Sequence, residues 1–493
     1  MSEAHLLDKI DAWARICPDR VAHRSGSCEM TWRQLVDASN RLALWIEGES
    51  GADPGPVAVH GHKEPEMLVS FLAAVKCGRP YVPMDVSIPP QRVTKIVEGS
   101  GASLVLTPQK VRNLLEKLPD SRGKCTSRRV EGNDPFYILF TSGSTGDPKG
   151  VVITLANLTA FVNWLGNEQA FEAQQEVFLN QAPFSFDLSV MDLFGSLVHG
   201  GTLVSVTKEE LSNLKLLYER LATSEVTTWV STPSFAQMCL VEKGFHSGML
   251  TNLKRFLFCG ETLAPETAAQ LLERFERTEV WNTYGPTEAT VATTSVQVDA
   301  TLLGRFSPLP VGYAMPGTRI LILDEAGEEV AEGERGEIVI SGPNVSPGYL
   351  QKPELTQRVF GERDGMRSYR TGDWGRMREG LVFFEGRMDG QVKLNGYRIE
   401  LGDLESNLRT LDHVADAVVL PVQKNGRTEA LAAFVVLAGP REGTDFETSS
   451  LLKKRLGERL PSYMLPRKFY FMEAFPMTAN GKADRRKLAE LLG

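Results

Sequence analysis

The feature that most restricts this chain is an alternation sustained from its first residues to beyond residue 250. Short apolar runs that read as strands take turns with longer amphipathic spans that read as helices. "TWRQLVDASNRLALWI" has helical spacing and "GPVAVHG" is strand-like, while "EMLVSFLAAVKCG" is an apolar helix ended by Gly78 and "ASLVLT" is again a strand. "EVFLNQAP", "GTLVSVT", "NLKLLYERLATSE", "VTTWVSTP" and "LKRFLFCGE" continue the pattern. Strands joined through helices must cross over and lie parallel, with helices covering the sheet faces. The spacing therefore predicts an α/β fold with largely parallel sheets. After about residue 300 the text changes to short strands with Gly-rich turns, "TRILILDEAGEEV", "RGEIVISGP" and "GLVFFEGRMD", which predict a smaller antiparallel, β-barrel-like subdomain. From "GQVKLNGYRIELGDLESNLRTL" onward the pattern is mixed α+β and more charged. A boundary is expected near Asp389, giving a large domain over 1–388 and a small one over 389–493. A chain of 493 residues is too long for one ordinary core, which agrees with that division. No internal repeat is visible, so a solenoid is excluded.

Charge and apolar patterning narrow the function classes. A net charge of −8 argues against general binding to nucleic acid or anionic membranes. No apolar run approaches the length that spans a bilayer, and the N-terminal stretch lacks the uninterrupted apolar core of a secretory signal. Cysteines 17, 28, 77, 125, 239 and 259 are scattered without a CxxC pair, which suits reduced thiols in a cytoplasmic protein. His60 and His62 in "VHGHKEP" could share a strand edge, but with no further ligand nearby a metal site is not expected there.

The chemistry is carried by loops that follow strands. In "FYILFTSGSTGDPKGVVIT" (136–154) an apolar strand runs into hydroxyls, glycines and a lysine. Small and hydroxylic residues expose donors and the lysine adds positive charge, as a polyphosphate cradle requires. Asp147 and Pro148 separate Gly146 from Lys149, so this is not the usual P-loop, and a plain surface turn could share its composition. "NTYGPTEAT" (282–290) offers an amide, an aromatic face, a Gly-Pro turn and a carboxylate; "YRTGDWG" (369–375) offers Asp373; "FFEGRMDGQVK" (383–393) offers Arg387 and Asp389; and "PMTANGKADRRKL" (476–488) offers Lys482. Singly each is explained as a turn with charged flanks. Together they supply parts for an adenine, a ribose, a metal ion and a triphosphate.

These segments, in this order and over essentially the whole chain, resemble the adenylate-forming superfamily: acyl-CoA synthetases, firefly luciferase and the amino-acid adenylation domains of nonribosomal peptide synthesis. The resemblance implies that Thr141, Ser142, Thr145 and Lys149 hold the outer phosphates of ATP. It implies that Asn282, Thr283, Tyr284, Gly285, Pro286 and Thr287 line the nucleotide, with Tyr284 stacked on adenine and Glu288 helping to hold Mg²⁺. Asp373 would bind the ribose hydroxyls with help from Arg387, and Phe384 and Gly386 would line the same seat. Asp389 would be a hinge, and Lys482 would be the catalytic residue, reaching from a mobile small domain to the substrate carboxylate and the α-phosphate.

Asp187, in "APFSFDLSVMD", bears on which acid is activated. A carboxylate in a substrate pocket is costly to desolvate unless a cation meets it, and an amino acid brings one in its ammonium. Amino-acid-activating members of the superfamily carry an aspartate here; the competing explanation is that Asp187 only caps the helix that follows. By the same resemblance the pocket walls would be Leu188, Met191, Ser234, Leu257, Cys259, Thr283, Val291 and Ala292. None of them is charged, which favours a small apolar side chain.

"NQAPFSFDLSVMDLF", "STPSFAQMCL", "FLFCGETL" and "NTYGPTEATVATTSV" are most similar to the D-alanine–D-alanyl-carrier-protein ligases. In that family a cysteine at the position of Cys259 is associated with selecting the D form. The resemblance thus implies ATP-dependent formation of D-alanyl-AMP, then transfer to the phosphopantetheine thiol of a separate carrier protein, which the basic run 453–455 could meet. "IELGDLESNL" departs from the more acidic stretch expected there. Two alternatives stay open at this point: a stand-alone adenylation enzyme of a natural-product pathway loading L-alanine, glycine or another small amino acid on a carrier protein, and an acyl-CoA ligase.

Overall fold

The computed structural model describes residues 4–50, 55–120, 129–143, 147–388, 390–394, 396–424, 427–439, 443–477 and 483–492. The chain forms two compact units, one of Met1–Asp85, Ser100–Leu139 and Gly150–Met388, the other of Val86–Gly99, Phe140–Lys149 and Asp389–Gly493. The division differs in one respect from a single cut near residue 389: two short N-terminal segments pack with the C-terminal portion. Among the described residues the strands form sheets of nine, six, five, two and three strands.

The two larger sheets carry the alternation seen in the sequence. At the heart of the nine-stranded sheet, Glu279–Tyr284, Arg255–Phe258, Thr228–Ser231, Val177–Asn180 and Thr202–Ser205 lie side by side and parallel. Their residues are almost all buried, as expected for strands covered by helices on both faces. In the six-stranded sheet Leu104–Leu106, Val57–Gly61, Tyr81–Asp85 and Pro135–Thr141 are parallel neighbours. The crossovers include Pro65–Lys76, in which nearly every side chain is buried, and Leu188–His199, which packs over the nine-stranded sheet. The expected barrel-like subdomain is present as a five-stranded antiparallel sheet. Its strands are Arg319–Leu323, Gly336–Ser341, Phe360–Arg363, the thirteen-residue Met366–Arg378, and Leu381–Arg387, which pairs with that long strand.

The second unit is α+β. Its hairpin pairs Gln391–Leu394 with Tyr397–Glu400 and runs into the helix Leu401–Arg409. The strands Val414–Lys424, Arg427–Leu437 and Lys468–Met472 form its other sheet, flanked by the helix Asp445–Gly457. Among the described residues no helix is long and apolar enough to cross a membrane. Cys17, Cys28, Cys77, Cys239 and Cys259 are free thiols, and Cys125 lies outside the described residues.

Candidate active site

Ligands of open parallel sheets gather at the carboxyl ends of the strands, because that is where the connecting loops begin. Four neighbouring strands of the nine-stranded sheet end here in succession. Val177–Asn180 leads into the loop ending at Asp187, and Thr228–Ser231 leads to Ser234. Arg255–Phe258 is followed by Cys259, and Glu279–Tyr284 by the turn Gly285–Val291. Residues far apart in sequence thereby converge by topology alone.

Asp187 occupies the residue before the helix Leu188–His199, yet its side chain makes no cap hydrogen bond. Its Oδ2 instead accepts the hydroxyl of Thr287 at 2.6 Å, a hundred residues on. The capping explanation is therefore set aside. Tyr137, whose hydroxyl is buried without a partner among the described residues, lies within electrostatic reach of Asp187; burial, then Tyr81 and Asp187, raise its pKa well above the ordinary value. Leu188, Met191, Leu257, Cys259, Val291 and Ala292 are all buried and belong to one apolar cluster, which also takes in Tyr284. Ser234 is half-buried and its N–H donates to Glu261.

The turn after Tyr284 is the most constrained backbone in the site. Pro286 cannot continue the strand ladder, and Thr287–Ala289 forms a 3₁₀ turn. Gly285 passes so close to the returning chain that a Cβ would lie 2.7 Å from Ala292 Cα and 2.9 Å from the Val291 oxygen, so only glycine fits. Thr290 and Val291 then adopt φ of 52° and 69°, in the left-handed region that β-branched residues rarely enter. Ala292 N–H closes a three-residue turn onto Thr290 C=O at 2.8 Å. Such residues cost roughly 1–3 kcal/mol each and persist only where the surroundings fix them. Asn344, fully buried, supplies that fixing: its Nδ2 donates to Ala289 C=O and Thr293 Oγ1, and its main-chain carbonyl accepts from Thr290 Oγ1. The Cys259 thiol donates to Val291 C=O at 3.6 Å. Glu288 is buried, and its Oε1 accepts the Tyr349 hydroxyl at 2.7 Å.

The other end of the site comes from the antiparallel sheet. Asp373 stands directly opposite Arg387 in the register of Met366–Arg378 with Leu381–Arg387. Arg387 Nη1 donates to Asp373 Oδ1 at 2.8 Å and to Thr371 C=O at 2.7 Å. The Tyr284 hydroxyl donates to Asp373 Oδ2 at 2.5 Å, linking the two sheets. Burial, reinforced by the Asp373 charge, pushes the Tyr284 phenol well above its usual pKa, so it stays a donor. The Tyr284 and Phe384 rings lie 5.9 Å apart, and Gly386 sits opposite Trp374 with φ of 110°. Asn282 Nδ2 donates to Pro310 C=O and Thr283 Oγ1 to Phe258 C=O, so the first side chain ties the strand to a loop and the second ties it to the neighbouring strand.

The glycine- and hydroxyl-rich loop belongs to the second unit. Thr141 Oγ1 is buried with no partner among the described residues, and Ser142 is buried. Gly143 lies where a Cβ would come within 2.3 Å of the Asp147 carbonyl, so a side chain has no room there. Lys149 begins the strand Lys149–Thr154. Thr145, Asp389 and Lys482 lie outside the described residues.

Sequence reasoning missed a buried polar network behind the Asp187 loop. Lys63 Nζ donates to three carbonyls, those of Asn180, Gln181 and Val206, at 2.7–2.9 Å. Asn180 Nδ2 donates to Asp192 Oδ1, and Asn180 Oδ1 accepts from Ser205 Oγ, which in turn pairs with His23 Nε2 at 3.0 Å. Burial pushes the Asp192 carboxyl up and lowers Lys63 to about 7 and His23 to about 3. Asp192 lies one turn beyond Leu188, so the network fixes both the loop and the helix that form the acid end.

Comparison with known proteins agrees with this arrangement. Residues 10–350 match the model of the AMP-binding enzyme family, and residues 403–482 match that of the AMP-binding enzyme C-terminal domain. A D-alanine--D-alanyl carrier protein ligase of Bacillus cereus (strain AH187) is 46% identical over 497 residues, covering 98% of each chain. The enzyme of the same name from Bacillus mycoides (strain KBAB4) is equally similar, with the same coverage. Among solved structures, the Vibrio cholerae adenylation domain AlmE in complex with glycyl-adenosine-5'-phosphate superposes with a TM-score of 0.86 at 22% identity, over 100% of this chain and 98% of its own. That likeness speaks for the fold. Holo-PA1221, an NRPS protein containing adenylation and PCP domains, gives 0.83 at 28% identity, over 99% of this chain and 84% of its own.

Proposed function

This chain belongs to the AMP-binding enzyme family, and on that premise we propose that it is a ligase that activates D-alanine with ATP and passes it to a carrier-protein thiol. The observation that carries the choice of substrate is Asp187: a half-buried carboxylate, turned away from its own helix, held by Thr287 beside uncharged walls. It provides an anchor for an ammonium, for which a fatty or aryl acid has no use.

In the first step the alanine carboxylate oxygen attacks the α-phosphorus of ATP, the P–O bond to pyrophosphate breaks, and D-alanyl-AMP forms. Tyr284, Phe384, Asp373 and Arg387 hold the nucleoside, and Thr141, Ser142, Thr145 and Lys149 hold the leaving phosphates; the unpartnered Thr141 hydroxyl suits that task. Lys482 neutralises charge at the reacting phosphoryl group, worth about 10²–10³ in rate. Glu288 is a single buried carboxylate, which fits Mg²⁺, an ion held through one or two carboxylates and the substrate's phosphates. When bound, Mg²⁺ offsets the repulsion between the two anionic reactants. In the second step the carrier's phosphopantetheine sulfur attacks the acyl carbon, AMP leaves, and a thioester remains. Asp389 is the hinge that exchanges the two steps, with a core over 1–388 and a mobile domain over 389–493.

Cys259 is the residue that distinguishes enantiomers. With ammonium and carboxylate both anchored, inverting Cα exchanges hydrogen and methyl, so the size of one wall decides which form fits. Its thiol is already fixed on the Val291 carbonyl. A missing or extra methylene in such a pocket is worth about 1–3 kcal/mol, so slow use of glycine is expected. The test is exchange of labelled pyrophosphate into ATP with D-alanine, L-alanine and glycine in turn. D-Alanine should support the fastest exchange; exchange that needs a fatty or aryl acid and ignores amino acids would overturn the reading.

A further inference from the structure

Ser142 makes contacts that holding phosphate does not explain. Within the second unit its hydroxyl donates to Arg398 C=O at 3.0 Å and accepts from Glu400 N–H at 3.2 Å. Both groups lie on the strand Tyr397–Glu400, whose partner Gln391–Leu394 covers the opposite edge. One side-chain hydroxyl therefore satisfies a carbonyl and an N–H of a strand edge, as a neighbouring strand would. A second buried contact ties a different segment, 86–99, to residues just beyond this strand. Arg92 Nη1 meets Asp403 Oδ2 at 3.1 Å, and Asp403, fully buried on the helix that continues this strand, also accepts from Asn407 Nδ2.

A serine hydroxyl has one proton. While it is given to the Arg398 carbonyl it cannot be given to a phosphate oxygen. Holding phosphate and clamping the hairpin are therefore alternative states of one side chain. Building on the two-step reaction proposed above, we infer that Ser142 is also a positioning residue for the transfer step. Once pyrophosphate has left, its hydroxyl fixes the edge of the 391–400 hairpin. The release of one product thus frees the group that orders the hairpin for the next step.

The two roles separate in an assay without ATP. Preformed D-alanyl-AMP is mixed with excess full-length enzyme and free 4′-phosphopantetheine as the acceptor thiol, and a single turnover of thioester formation is followed. No outer phosphates are present, so any effect of Ser142→Ala there arises from the hairpin. Two hydrogen bonds of ordinary strength correspond to about tenfold, so Ser142→Ala should slow this transfer by about that factor, with Ser142→Thr restoring it to within about twofold. Transfer by Ser142→Ala at the unaltered rate, or a loss that Ser142→Thr does not restore, would overturn the inference. Glu400→Pro gives a second reading that leaves Ser142 intact. Glu400 has φ of −80°, within reach of proline, and the substitution removes the N–H and the side chain and sets a ring methylene against the Ser142 hydroxyl, so the clamp cannot form. Relative to Glu400→Ala, transfer should fall several-fold, about what one hydrogen bond is worth, while pyrophosphate exchange changes by less than about twofold. Equal transfer by the two Glu400 variants also counts against the clamp. Failure of the unaltered enzyme to exchange pyrophosphate with any alanine would instead sink the proposed function, and that control is run first.

Discussion

The proposed nucleoside end and the proposed amino-acid end of this site are built by opposite means. Asp373 and Arg387 face each other because two regular antiparallel strands bring them into register, and Tyr284 joins them from the end of a parallel strand. Little of that depends on unusual backbone. The amino-acid end rests on loops: a carboxylate that leaves its own helix uncapped, two β-branched residues in left-handed conformation, and a buried asparagine that holds them there. On the proposed function, regular register suffices to seat a nucleoside. Discrimination among small acids requires walls fixed to fractions of an ångström, and here strain and buried polar bonds fix them.

The largest effect that would separate the two ends is Asp187→Asn. Breaking a buried ion pair by removing one partner costs about 3–5 kcal/mol; Asp187 is half-buried, so a smaller loss, roughly 10² in kcat/KM for D-alanine, is expected. The KM for ATP should barely move. If both substrates weaken together, the ends are not independent and the comparison fails. Asp373→Asn is the mirror experiment. It weakens the bonds from Arg387 and Tyr284, so the KM for ATP should rise about tenfold while that for D-alanine stays near its starting value.

This contrast also explains what could be read from the sequence. The parallel sheets were legible because strands covered on both faces are continuous apolar runs, as in "VFLN" and "RFLF". Tyr284, Asp373 and Arg387 were legible because each lies in a short run of unusual composition directly after or within a strand. Asn344 was not. "SGPNVSPGYL" reads as an ordinary turn, and the groups it serves, Ala289, Thr290 and Thr293, are more than fifty residues away. Lys63 was hidden for the same reason: its acceptors are main-chain carbonyls, which leave no mark on side-chain identity. The pairing of segments 86–99 and 140–149 with the C-terminal portion was equally invisible, since the bonds that mark it, from Ser142 and Arg92, span hundreds of residues.

A finer test of the amino-acid end is Thr287→Val, which keeps the shape and removes the hydroxyl on Asp187. A hydrogen bond to a charged group is worth about 1.5–3 kcal/mol when buried. Asp187 is only half-buried, so a rise of about fivefold in the KM for D-alanine is expected, with ATP unaffected. No change would mean that Thr287 does not orient the carboxylate.

The smallest effect on turnover, and the sharpest probe of how differently the two ends are supported, comes from pH. His23 is fully buried, pairs with Ser205, and its ring lies 6.4 Å from that of Phe184 in the loop leading to Asp187. Burial, helped by the Lys63 charge, lowers its pKa from 6.5 to about 3. In the unfolded chain His23 takes up a proton below pH 6.5, while the folded chain refuses it until about pH 3. Its contribution to stability is therefore complete above pH 6.5 and is lost as pH falls through that window, at a slope of about 1.4 kcal/mol per pH unit. Urea unfolding at pH 7.5 and pH 5.5 should show a loss for the unaltered protein that His23→Gln largely removes. Because the folded chain keeps His23 neutral throughout this window, the loss falls on stability and not on the site: the pH profile of the KM for D-alanine should have the same shape in His23→Gln as in the unaltered protein. A profile reshaped by His23→Gln would mean that the folded chain takes up this proton well above pH 3.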